Sequence, residues 1–340
     1  MGEAHQIGQL KAVHEHAQRL RQLALEKEGG DPSLAPETEI VSGDEARELE
    51  PDLGLSIKGA VLSRSTGIVD SHVLVQSLER DIGESEGGAI AYSTRVVRID
   101  GTKEGWAVQV VSGDGSDHYG IHTRTVINAS GLSAHLILNS LRDQHSRIPL
   151  YFARGSYASY GRRAGVENVS RLLYPVPDGH GFASLGTHLT LDMGGHIRFG
   201  PDLEWVDAGE EEGDRDGEWW EGLLKCELSE RHREEMHEAI SRYLPGVEKE
   251  GLGEDYCGIR PKLVGPGASG FQDFVIRLDQ MSDYGMSGKG VVISLLGEGQ
   301  DFLVWTDCAH CRSSGIESPG LTSCLSLAEH VGRMVSTSSN

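Results

Sequence analysis

The chain has 340 residues, 38% of them hydrophobic, with 45 glycines, which is enough for two cores of ordinary size in an α/β protein. Its 52 acidic residues outnumber the 31 Lys and Arg, a balance that repels polyphosphate and excludes nucleic acid as an expected partner. No apolar run reaches the roughly 18 residues of a membrane span, so no transmembrane segment is expected.

In chain order, Leu10, Val13, Ala17, Leu20 and Leu23 recur at helical spacing, and the spacing predicts an amphipathic helix over 8–27, ended by Gly29-Gly30. Ser42 with Glu45 three positions on reads as a capping box, opening a short helix that Pro51 closes. Ala60 to Leu62 reads as a strand, Ser65-Thr66-Gly67 as a turn, and Asp70 as the cap of a helix carrying Val73, Leu74 and Leu78. A three-strand meander is expected from Val96, Val97 and Ile99 through Trp106, Val108 and Val110 to Tyr119 and Ile121, with its second turn at 112–115. Thr125 to Gly131 reads as a buried strand entering a small-residue turn and then a helix with Leu136, Ile137 and Leu141. Such an order can aim backbone N–H groups at an anion. Strand-like pieces follow at Leu150–Phe152, Leu172–Tyr174 and Ile197–Phe199, then an acidic, glycine-punctuated run over 202–221 that reads as a solvated loop. Ser229 to Tyr243 reads as a helix, Phe274–Ile276 and Val291–Leu296 as strands, and Pro319 to Met334 as a last helix.

Four motifs could carry chemistry. Gly265 to Gly270 has the spacing of a dinucleotide fingerprint, but Pro266 lies inside it and a strand-like run follows, so it reads as a loop. Cys308-Ala309-His310-Cys311 offers soft ligands without a second pair beyond Cys324 and His330, and no metal is assigned. The five cysteines are odd in number and scattered, which suggests reduced thiols. Arg260, followed by Pro261, could present its planar fork to a carboxylate, or could be a surface Arg beside a turn. Gly315 to Thr322 precedes the last helix, with Pro319 at its opening turn, and could admit a ligand to exposed N–H groups or could be a plain helix cap.

Several strings, in order, resemble the family of FAD-dependent L-2-hydroxyglutarate dehydrogenases within the D-amino-acid-oxidase-like FAD oxidoreductases. They are Ser65 to His72, Val126 to Leu132, Tyr151 to Tyr157, Leu173 to Pro177, Gly186 to Asp192, Arg198 to Asp202, the Arg260 segment and Gly315 to Thr322. The resemblance covers the chain from about residue 35 onward. It implies a flavoprotein that oxidises a small 2-hydroxy acid, L-2-hydroxyglutarate to 2-oxoglutarate, with hydride passing to FAD and on to a membrane-linked acceptor. Carried over by motif, Val97 would lie near the adenine, Ala129 and Gly131 near the pyrophosphate, and Gly320, Leu321 and Thr322 at the isoalloxazine ring. Arg260 would hold a substrate carboxylate, Tyr157 and Tyr174 would line the pocket, and His188 would serve as acid or base, although a structural His fits its sequence as well.

The implied fold is α/β: a partial Rossmann-like flavin domain lacking its first βαβ unit, from 60–148 and 286–340, with a substrate domain of mixed or antiparallel sheet over 149–285 and a helical segment over 1–59. Without that first unit, weak FAD binding, an impaired or inactive chain and aggregation through open sheet edges are expected. Residues 298–314 interrupt the pattern of the relatives and read as an unspliced intron or a misjoined exon. Mitochondrial localisation follows from the resemblance alone, since residues 1–18 lack the Arg-rich, acid-poor pattern of a transit peptide. A catalytically inactive fragment, a related amino-acid or amine oxidase, and a small zinc-binding module are the alternatives.

Overall fold

The computed structural model describes residues 3–26, 30, 36–113, 115–161, 165–176, 186–207, 220–224, 227–267, 273–299 and 319–338. In chain order its elements are α1 (Glu3–Glu26), β1 (Thr38–Ser42), α2 (Gly43–Leu49), β2 (Gly59–Ser63), α3 (Ser71–Glu84), β3 (Thr94–Thr102), β4 (Gly105–Ser112), β5 (Asp117–Thr123), β6 (Thr125–Asn128), α4 (Ala134–Asn139) and β7 (Tyr151–Tyr160). They continue as β8 (His188–Leu191), β9 (Ile197–Gly200), β10 (Glu204–Val206), α5 (Glu230–Ser241), β11 (Leu252–Lys262), β12 (Asp273–Gln280), β13 (Val291–Gly299) and α6 (Gly320–Ser338). The result is an α/β fold with antiparallel and mixed sheets. Contacts divide it into two units, each made of three separate stretches: Met1–Asp70, Gly155–Leu203 and Cys226–Cys257 in the first, and Ser71–Arg154, Glu204–Lys225 and Gly258–Asn340 in the second.

In the first unit, β1 pairs antiparallel with β2. The capping box at α2 is closed in both directions: Ser42 N donates to Glu45 Oε2 at 2.8 Å and Glu45 N donates to Ser42 Oγ at 3.2 Å. Strand β9 lies between β8 and the second half of β7, antiparallel to both. Against these strands α5, capped by Ser229, buries Met236 and Ile240 in a core with Tyr160, Leu189, Phe199, Leu244 and Leu252. Helix α1 forms where periodicity places it, yet of its described residues only Ala17 is buried, while Val13, Leu20 and Leu23 are exposed. Leu172–Tyr174, expected as a strand, makes one isolated bridge, Leu173 with Leu189.

In the second unit, β3, β4 and β5 form the expected antiparallel meander. Strand β13 pairs parallel with β6, antiparallel with β12, and parallel with the end of β11 at Lys262 and Glu298. The alternation along β13 explains its apolar run, because it is covered on both faces. Val292 and Leu296 pack toward α4, through cores containing Leu138, Val275, Ile99 and Trp106, while Ile293 and Leu295 pack with Val331, Leu327 and Met334 of α6. Strand β10 pairs with the first half of β7.

A further expectation fails in detail. The strand at Thr125–Asn128 forms, but Ile127 is 51% exposed rather than buried. Its neighbour Val126 takes the covered face, against the core of Ile99 and Trp106, so Ile127 points to the opposite face, which none of the described cores covers. The Gly265 segment reaches Gly267 at φ +91° and is followed by strand β12, as expected of a loop, with 268–270 outside the described residues.

Candidate active site

Three of the residues singled out in the sequence, Tyr157, Tyr174 and His188, belong to the first unit, and the structure joins them to two that sequence reasoning missed, Tyr256 and Arg198. Tyr157 on β7 stacks on Tyr256 of β11 with centroids 4.5 Å apart and planes 12° from parallel. Tyr174 stacks on His188 at 4.1 Å and 14°. The two pairs sense one another. Burial holds the Tyr174 phenol above its ordinary range and the Tyr157 phenol adds to the effect. Burial likewise raises Tyr256, opposed in part by the Arg198 cation and by a hydrogen bond with Tyr157. Arg198 of β9 lies over the Tyr256 ring at 5.4 Å and pairs through Nε with Asp255 at 2.7 Å.

Local backbone makes this packing possible. Gly200 ends β9 at φ +146°, and a Cβ there would lie 2.7 Å from Cδ1 of the Tyr157 ring, so only glycine lets the ring settle against the strand. His188 begins β8 opposite Gly200 and is 6% exposed. Its Nδ1 is 3.1 Å from Gly186 O. A carbonyl can only accept, so Nδ1 donates at this contact, and Nε2 would carry the lone pair whenever the ring is neutral. The preceding residue is fixed as well: Tyr243, whose phenol burial pushes far up, donates from its hydroxyl to Thr187 O at 3.2 Å.

The remaining candidates belong to the second unit. Arg260 is half-buried on β11. Val97 is exposed on β3, within the register shift between Val96 and Arg98. At the carboxyl end of β6, Asn128 is buried; its Nδ2 donates to Ala134 O at 2.8 Å and its Oδ1 accepts from Ser130 Oγ at 2.7 Å. This clamp shapes the turn, leaving Ala129 and Gly131 exposed, Gly131 with φ +56° and open space where a side chain would stand. Gly320 is buried at the start of α6, with Leu321 and Thr322 exposed. Ser323 stabilises that turn by donating from N and Oγ to Pro319 O at 3.0 and 2.9 Å. Gly315 to Ser318, Cys308, His310, Cys311 and the stretch 300–318 lie outside the described residues. Among the described residues no His, Cys, Asp and Glu cluster could hold a metal ion.

Residues 3–332 match the family described as FAD dependent oxidoreductase. The chain belongs to that family. Members are FAD-dependent enzymes, and FAD is the cofactor. The chain is 29% identical over 319 residues to L-2-hydroxyglutarate dehydrogenase, mitochondrial, of Arabidopsis thaliana, covering 86% of this chain and 59% of that protein. It is 27% identical over 177 residues to glycerol 3-phosphate dehydrogenase of Caloramator mitchellensis, covering 52% and 34%. The chain therefore spans less than two thirds of either relative. Among solved structures, L-alpha-glycerophosphate oxidase of Mycoplasma pneumoniae with FAD bound superposes with a TM-score of 0.62 at 15% identity, over 98% of this chain and 71% of that one. That likeness shows the fold.

The described residues fit the cofactor in one respect. The open backbone of Ala129 to Gly131 lies beyond the carboxyl end of a parallel strand, where ligands of open α/β sheets bind. No helix among the described residues is long and apolar enough to cross a membrane.

Proposed function

We propose that this chain carries the substrate-handling part of an oxidation of L-2-hydroxyglutarate to 2-oxoglutarate. The observation that supports it most is the Tyr174 and His188 pair, stacked at 4.1 Å with Nδ1–H committed to Gly186 O, which fixes the orientation of the ring. In this reading Nε2 accepts the proton of the substrate hydroxyl, worth roughly 10²–10⁴-fold in rate. Tyr157 and Tyr174 supply flat apolar walls within the first unit. By the resemblance alone, Arg260 of the second unit would pair with a substrate carboxylate. Val97 would hold the adenine end of FAD, Ala129 and Gly131 the pyrophosphate, and Gly320, Leu321 and Thr322 the ring. FAD, when bound, would supply the two-electron acceptor that removal of hydride from C2 requires. The Arabidopsis relative supports the choice of substrate and, by its name, a mitochondrial location; a membrane-linked electron acceptor is part of the same proposal.

The test is dye reduction by the FAD-loaded protein with L-2-hydroxyglutarate, its D isomer, L-proline and glycine. We expect turnover with the first alone, lowered about 100-fold or more in kcat by His188→Asn and raised in KM by Arg260→Lys. Turnover of an amino acid in place of the hydroxy acid, or no reduction with any, would overturn the reading.

A further inference from the structure

The first unit contains a cavity of about 570 Å³ that shares only Tyr174 with the residues given a role above. Its lining is mostly aliphatic, with Val41, Leu53, Leu62 and Leu191 among it, and it carries two guanidiniums, Arg64 and Arg171, against one carboxylate, Glu50. In a chain of net charge -21 this is a local inversion of sign.

The arginines are held differently. Nη1 of Arg171 donates to Leu49 O, Glu50 Oε1 and Ser170 Oγ, each at 3.0 Å. Glu50 is buried and itself fixed, its Oε2 accepting from Ser170 N at 3.0 Å and its Oε1 from Ser170 Oγ at 2.6 Å. One nitrogen thus anchors the Arg171 fork, and among the described residues nothing further bonds Nε or Nη2. Those two donors form the edge that meets a carboxylate in parallel hydrogen bonds. Much of the entropy of ordering a long side chain is already spent before a ligand arrives. Arg64 is exposed and pairs with Glu39 at 3.1 Å, so it contributes field rather than a fixed contact. Tyr174 lines the same cavity and stacks on His188.

We propose that this cavity is a carboxylate subsite that receives the far end of a short aliphatic dicarboxylic acid, with Arg171 as the residue that recognises it. The inference rests on the reading of His188 as the reacting end of the site, and it deepens that reading by naming what selects a dicarboxylate. The methylenes lie against aliphatic walls, the terminal carboxylate meets the open edge of Arg171, and Glu50 holds that edge in place. An acid that ends in a methyl group leaves the fork unpaired, and hydrogen bonds to a charged group are worth about a tenfold or greater preference.

The experiment is calorimetric titration of the 340-residue chain, at low salt, with 2-oxoglutarate and with 2-oxobutyrate. We expect the dicarboxylate to bind at least tenfold more tightly, Arg171→Gln to bring the ratio near one, and Arg64→Gln to lower it two- to threefold. Should Arg171→Gln lose its native circular dichroism, Arg171→Lys replaces it, keeping a cation beside Glu50 while losing the two-pronged edge, and must also lower the ratio. Equal affinities in the unsubstituted chain, or a ratio untouched in a folded Arg171 variant, overturn the proposal. The readout needs neither flavin nor turnover. A chain that prefers the dicarboxylate through Arg171 yet reduces no dye with L-2-hydroxyglutarate overturns the reaction and leaves the subsite standing.

Discussion

Helices α3 and α5 are similar in length, 14 and 12 residues, and each carries an apolar stripe, yet they end in opposite circumstances. Helix α5 buries Met236 and Ile240 in the largest core of the first unit, whereas no residue of α3 is buried and Val73, Val75 and Ile82 are exposed. Strands β13 and β6 differ in the same way among the described residues: one is covered on both faces and paired along both edges, the other is paired along one edge with Ile127 exposed. Periodicity specifies that a face exists, and tertiary packing decides whether it contributes to stability.

The largest effect should come from breaking the covered member of the pair. Ile240→Ala removes a fully buried side chain and is expected to cost about 2–5 kcal/mol in urea unfolding. Next is Gly200→Ala, which forces Tyr157 off β9 at a cost of about 1–3 kcal/mol. Its near-ultraviolet dichroism should change along with its stability. The unit that shelters α5 also raises the pKa of Tyr174, Tyr243 and Tyr256, chiefly by burial. A phenol held above its unfolded value binds more protons in the native state, so its contribution is complete below about pH 10 and is lost as pH rises through the folded value. Stability should therefore fall on the alkaline side, and the 295 nm titration of these rings should lag behind that of the unfolded chain. Ser42→Ala opens the capping box and should cost about 1 kcal/mol. Smallest of all, Val75→Ser on the open face of α3 should stay within about 0.5 kcal/mol. A loss well above that would mean the face is covered in solution.

Much of the fold was legible wherever local chemistry and tertiary packing agree. The capping box of α2, the meander β3 to β5, and the run Val291–Leu296 were readable because turn residues, alternation or caps mark them. Strand β11 was missed: Pro261 lies near its end and its charged, alternating face reads as loop. The burial of Ile127 was overestimated because a β-branched run says nothing about how many neighbours the strand finds. In the site, Tyr157, Tyr174 and His188 came from the resemblance, and the structure brings them together. Tyr256 and Arg198 carried weaker signals. Arg198 opens the string Arg198 to Asp202, but its role depends on a ring that arrives from β11, far along the chain, and no spacing rule connects the two.

The interleaving of the two units has a consequence for synthesis. The core around α5 draws on Ala158, Leu189, Ile240 and Leu252, so it cannot close until about the 252nd residue has left the ribosome. Until then nascent β7 and β9 hold apolar faces that only later residues cover. A chaperone-poor host should accordingly yield more insoluble product than the final stability of the protein would suggest.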